Sequence, residues 1–98
     1  MSKTKEIVEV EIPDVNDSFF NVVMYNDDVT PFDYVIMVLH TIFGYDPGEG
    51  FQIALHIHQN GQAIVATLSM ADAYEKVDAV NAENERYGML LQTVVEKA

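Results

Sequence analysis

Tyr25-Asn26-Asp27-Asp28-Val29-Thr30-Pro31 separates two runs of different hydrophobic period. Before it, Phe19-Phe20-Asn21-Val22-Val23-Met24-Tyr25 is rich in β-branched and aromatic residues and reads as a strand. After it, Phe32, Val35, Ile36, Leu39, Ile42 and Phe43 recur at three- and four-residue steps, which predicts a helix from Pro31 to about Phe43 with one broad apolar face. Proline suits a first helical position, because its φ is already helical and the N–H it lacks would be unpaired there. Thr30 is expected to cap this helix, and Asp33 three residues later makes a capping-box-like pair with it. A turn held at both ends presents two adjacent carboxylates and an amide. Presented acids can hold a cation.

Further along, Gly44 is available for a left-handed helix end and Pro47 can open a second helix running to about Gln59, with Phe51, Leu55 and His58 on one face. Asn60-Gly61 is a turn signal. Gln62 to Leu68 then alternates as a strand, with Ile64, Ala66 and Leu68 on one face and Ala63, Val65 and Thr67 on the other. Ser69-Met70-Ala71-Asp72 predicts a capped third helix that continues to about Tyr87, turns Ala73, Val77 and Val80 inward, and stops at Gly88. Leu90 to Val95 closes as a short strand. The order is β-α-α-β-α-β, which implies an α+β sandwich: a three-stranded antiparallel sheet packed with three helices. Residues 18–98 form this core domain. Residues 1–17 are read as a mobile tail, although Val8, Val10 and Ile12 at period two would also suit an edge strand.

Composition narrows the function. Sixteen acidic against five basic residues give a net charge of −11, a field that repels nucleic acid and anionic membrane and attracts cationic ligands or basic partner surfaces. The absence of cysteine excludes disulfides and thiolate metal sites. No apolar run approaches the ~20 residues that span a bilayer, and Met1-Ser2-Lys3-Thr4-Lys5-Glu6 lacks the apolar core of a signal peptide. A cytoplasmic location is therefore expected.

Catalytic and metal chemistry find little support. His56 and His58, two residues apart, fall about 200° apart on a helix, which argues against a shared metal ion. His40 falls toward the polar side of the first helix. Ser18 and Ser69 are turn and cap residues. Asp14-Val15-Asn16-Asp17 starts like a calcium loop, but Phe19 and Tyr25 stand where its glycine and glutamate belong. The glycines at 44, 48 and 50 make no phosphate loop.

The Asn26-Asp27-Asp28-Val29-Thr30-Pro31-Phe32 stretch resembles the ClpS family of adaptors, which deliver N-degron substrates to Clp unfoldases. The likeness continues through Val35-Ile36-Met37-Val38-Leu39, Phe43-Gly44-Tyr45-Asp46, Ile57-His58 and Gly61-Gln62-Ala63-Ile64. It reaches Leu90-Leu91 and Val95-Glu96-Lys97-Ala98. The family fold has the same β-α-α-β-α-β order.

The resemblance implies a non-enzymatic adaptor, a monomer without cofactor or metal, that reads the first residue of another protein. Asn26, Asp27 and His58 would bind the substrate's α-ammonium group with Asp28 in support. Tyr25, Thr30, Phe32, Val35, Ala54, Ile57 and Leu91 would line the cavity for a Leu, Phe, Tyr or Trp side chain. Phe32 stands where the family usually has a methionine gate, and Ala54 where a second methionine narrows the pocket. This implies either a reshaped pocket that favours larger aromatic residues or a compensating exchange that leaves selectivity alone. Lys76 matches a commonly basic position in the contact with the N-terminal domain of a ClpA- or ClpC-type unfoldase, while Ala71 replaces a frequent acid there. The rival expectation is an inhibitor or decoy on the same scaffold that occupies the unfoldase without delivering cargo.

Overall fold

The computed structural model describes residues 19–98. The tail expected at 1–17, the alternative edge strand through Val8 to Ile12, and Ser18 lie outside the described residues. The elements are β1 (Phe19–Tyr25), α1 (Phe32–Thr41), α2 (Pro47–Asn60), β2 (Gln62–Ser69), α3 (Met70–Tyr87) and β3 (Thr93–Lys97). This is the predicted order. The sheet is antiparallel throughout, with β1 in the centre between β2 and β3.

Alternation along β1 sends Val22 and Met24 into the core beneath the helices. Asn21 and Tyr25 point to the opposite face with the buried Val23 between them; there Asn21 Oδ1 accepts from the Thr67 hydroxyl and the Tyr25 hydroxyl donates to Glu96. The pairing slips between Val22 and Val23, whose partners are Ala66 and Ile64, so Val65 is an extra residue on β2. This bulge breaks the alternation predicted for the strand: Val65 is buried, and Ile64, expected beside Ala66 and Leu68, is exposed. The Val65 carbonyl, displaced from the ladder, accepts the Tyr45 hydroxyl at 2.8 Å.

The helix boundaries show which local signals prevailed. Pro31 is the residue before α1 rather than its first, with an extended backbone (φ −64°, ψ 145°), and no side chain caps the helix. The expected Thr30–Asp33 cap is thus absent, because Thr30 lies one residue too early. The helix ends at Thr41, short of Phe43, and Gly44 follows with φ 80°. The unpredicted cap is on α2, where Asp46 and Glu49 form a reciprocal capping box around Pro47. That helix continues one residue past Gln59 to Asn60, where Gly61 closes it with φ 91°. Ser69 caps α3 as expected, accepting from the Asp72 N–H, and Gly88 ends it. The last strand starts at Thr93 rather than Leu90, because Leu90 and Leu91 belong to the approach that turns Leu91 inward.

The core face of α1 is also broader than its spacing indicated. Tyr34 and Val38 are buried together with Val35 and Leu39. The tyrosine reaches α3, where its hydroxyl donates to Asn84 Oδ1 at 2.8 Å and its ring meets Tyr87 edge-on. Covered by α2 on one side and reached by α3 on the other, α1 needs more than one apolar stripe. On α2 the core residues are Gly50, Ala54 and Ile57, so the Phe51–His58 side faces elsewhere.

Candidate functional site

The turn after β1 is organised by its own carboxylate. Asp27 Oδ1 accepts the N–H groups of Val29 (2.8 Å) and Thr30 (2.6 Å), and Oδ2 accepts the Thr30 hydroxyl (2.6 Å). Short acidic side chains favour such local turns because they reach backbone donors two and three residues on. Burial alone pushes the Asp27 pKa up, but the bonds from the Thr30 hydroxyl, Thr30 N–H and Val29 N–H outweigh it, and the carboxyl stays below its ordinary value. An ionised carboxylate offers about four acceptor positions. Three are used, and Oδ2 keeps one.

A second connection fixes where this turn sits. The Asn26 N–H donates to the Gly61 carbonyl at 2.9 Å, joining the end of β1 to the end of α2. Gly61 can close the helix because it tolerates a left-handed backbone. The last turn of α2 is thereby brought against the acidic turn, and His58 comes with it.

The result is a cavity of about 220 Å³. That is below the ~300–1,000 Å³ typical of drug-sized ligand sites and suits one large side chain. Its polar side is Asn26, Asp27, Asp28 and His58; Thr30, Phe32, Val35, Ala54, Ile57 and Leu91 form the remainder, and Tyr25 borders it. The eleven residues expected at the substrate pocket all line this cavity. Tyr25 is tied elsewhere by its hydroxyl, which donates to Glu96 at 2.8 Å; that bond, with burial and the Glu96 charge, raises its pKa. Val35, Ala54, Ile57 and Leu91 are buried. The cavity thus joins an acceptor-rich rim to an apolar floor.

Residues 16–94 match the family model described as ATP-dependent Clp protease adaptor protein ClpS. The chain belongs to the ClpS family. Relatives carrying the same description include one from Leptothrix cholodnii, 39% identical over 94 residues, covering 96% of this chain and 78% of the relative. Another, from Pectobacterium carotovorum, is 40% identical over 81 residues, covering 83% and 76%. Among solved structures, Agrobacterium tumefaciens ClpS2 bound to L-phenylalaninamide matches with a TM-score of 0.79 at 25% identity, covering 83% of this chain and 98% of that one. The α+β architecture is therefore the ClpS fold.

The other candidate residues lie apart from the cavity. His56 borders a shallow hollow with Gln52, Ile53, Ala63 and Ile64, on the other side of α2 from His58. Among the described residues, no three His, Cys, Asp or Glu side chains converge as a metal-holding group. His40 is exposed and its Nδ1 donates to the Tyr45 carbonyl at 2.7 Å. Lys76 is half-buried and its Nζ donates to the Ile42 carbonyl at 2.9 Å, so the cation meets the negative end of α1. No described helix is long and apolar enough to cross a membrane.

Two contributors escaped the sequence reading. Asn84 Nδ2 donates to the Leu91 carbonyl at 2.9 Å while its Oδ1 accepts from the Tyr34 hydroxyl, so a chain of bonds from α1 through α3 holds a cavity residue in place. Nothing in the local pattern marks it. Phe51 meets Phe32 edge-on with ring centroids 5.6 Å apart; its seven-residue spacing from His58, two helical turns, was the available signal.

Proposed function

We propose that this ClpS-family adaptor binds the free α-ammonium group and first side chain of N-degron substrates and hands them to a ClpA- or ClpC-type AAA+ unfoldase. The observation that carries the reading is one cavity with acceptors at the mouth and apolar walls below, sized for a single large side chain. An α-ammonium group has three donors and one positive charge. The Asn26 amide oxygen, the remaining position on Asp27 Oδ2 and an unprotonated His58 nitrogen supply three acceptors, with Asp28 adding negative charge. Hydrogen bonds to a charged group contribute roughly 1.5–3 kcal/mol each, and burial of a Leu or Phe side chain a similar amount. The ligand of the Agrobacterium neighbour, L-phenylalaninamide, has both halves: a free amine and an apolar ring.

The same two halves define selectivity. An internal Phe lacks the ammonium, and an N-terminal Lys would strand a second charge among apolar walls. The ligands are therefore Leu, Phe, Tyr or Trp at position one. The adaptor performs no chemistry itself, needs no cofactor, and acts as a cytoplasmic monomer. The unfoldase N-terminal domain docks on the α3 side near Lys76, whose amine is already engaged by Ile42, and the −11 charge favours a basic partner surface.

A peptide beginning with free Phe, compared with its acetylated twin by fluorescence anisotropy, tests the binding half. The free peptide binds, acetylation abolishes binding, and so does Asp27→Ala or His58→Ala. Equal binding of the twins would refute the reading. Degradation of an N-degron reporter by purified unfoldase and protease then separates an adaptor from a decoy, which occupies the unfoldase without accelerating turnover.

A further inference from the structure

Phe51 is 44% exposed and does not line the cavity, yet its ring is packed edge-on against one that does. Phe32, the first residue of α1, sits 5.6 Å from Phe51 at an interplanar angle of 66° and 6.3 Å from the His58 ring at 80°. Phe51 and His58 lie two turns apart on the same side of α2. Ala54, between them in the helix and 3% exposed, leaves the volume that a larger side chain would take. The Phe32 ring is therefore bracketed by two α2 rings, with one side toward the cavity. Edge-to-face pairs have a preferred geometry beyond simple burial, so this bracket sets the angle of the wall as well as its presence.

We propose that Phe51 is a positioning residue for substrate selectivity, acting through Phe32. This rests on the N-degron reading above. Without the Phe51 ring, the outer side of Phe32 is open to solvent and the wall can rotate outward. The cavity then widens on the α2 side: small Leu loses contact, while broad Trp gains room. Phe51 touches no substrate side chain in this scheme. It fixes the ring that does.

The test measures affinities of peptides differing only in their first residue (Leu, Phe, Tyr, Trp), with an acetylated Phe control, for the full chain, Phe51→Ala and Phe51→Tyr. The Trp-to-Leu affinity ratio is expected to rise at least about threefold in Phe51→Ala and to return toward the original in Phe51→Tyr, which keeps the ring. In a Phe32→Ala background, Phe51→Ala should leave the ratio unchanged, since the ring it positions is gone. Phe51→Leu carries the same comparison should Phe51→Ala fold poorly. An unchanged ratio, or an equal loss for all four peptides, overturns the positioning role while leaving the N-degron reading intact. Failure of the unsubstituted protein to distinguish free from acetylated Phe overturns both.

Discussion

Thr30 binds Asp27 twice, donating its hydroxyl to Oδ2 and its backbone N–H to Oδ1, each at 2.6 Å. A carboxylate that shapes a turn in this way must be ionised to accept from both. The folded protein holds the Asp27 pKa below its unfolded value. The associated stability is complete above the unfolded carboxyl range, near pH 4, and is lost as pH falls through the lower folded value. Urea denaturation of the protein and Asp27→Asn from about pH 7 to pH 2 should show the largest gap at neutral pH, closing below about pH 4. A gap that stays constant with pH would mean that the charge is not its source.

Gly61 closes α2 with φ 91°, and a Cβ built there meets nothing within 4 Å. Replacing it with alanine therefore costs backbone conformation and not a clash. Gly61→Ala should destabilise by about 1–2 kcal/mol. It should also weaken peptide binding, because the Gly61 carbonyl holds Asn26. Denaturation and peptide titration measure the two effects separately.

Ala54→Met adds volume to the α2 side of the cavity, which Ala54 lines from a buried position. A longer side chain that enters the cavity leaves less room for a bulky ligand, so a Trp-first peptide should lose at least about tenfold in affinity, corresponding to roughly 1.4 kcal/mol of overpacking. A Leu-first peptide should change less than about threefold. Equal effects on both would show that Ala54 does not set the depth.

Tyr34, Asn84 and Leu91 form one chain of hydrogen bonds. Asn84→Ala leaves the Leu91 carbonyl without its donor and should cost about 1–3 kcal/mol, with weaker peptide binding because Leu91 lines the cavity. Tyr34→Phe removes only the far link and should cost less, with binding nearly unchanged. Thermal unfolding and peptide titration of the two variants check this order.

Most of the architecture was legible because it depends on local signals that agree. The β1 run, the α1 periodicity, Asn60-Gly61 and the Ser69 cap each specify their element without help. The elements diverge from expectation where tertiary contacts decide. Tyr34 is buried with its hydroxyl satisfied because α3 supplies Asn84, 50 positions away. Val65 bulges in a strand whose composition is regular, and Thr30, one residue too early to cap α1, gives its hydroxyl to Asp27 instead. The cavity residues were found through family resemblance; spacing alone left a generic cation site. Phe51 and Asn84 act at one remove, through Phe32 and Leu91, and single-residue patterns do not record such indirect roles.

The central place of β1 has a kinetic consequence. Both of its edges are paired, by β2 and by β3, so its amides exchange with solvent only when a neighbouring strand detaches. Asn26 continues directly from that strand, and its own N–H is bonded to Gly61. The acidic turn is thus anchored to the strand that opens only after a neighbour has left, and the Tyr25 N–H, donating to the Gln92 carbonyl, ties the segment after Leu91 to the same strand. On the function proposed above, the group that meets the ammonium would be held by the sheet itself.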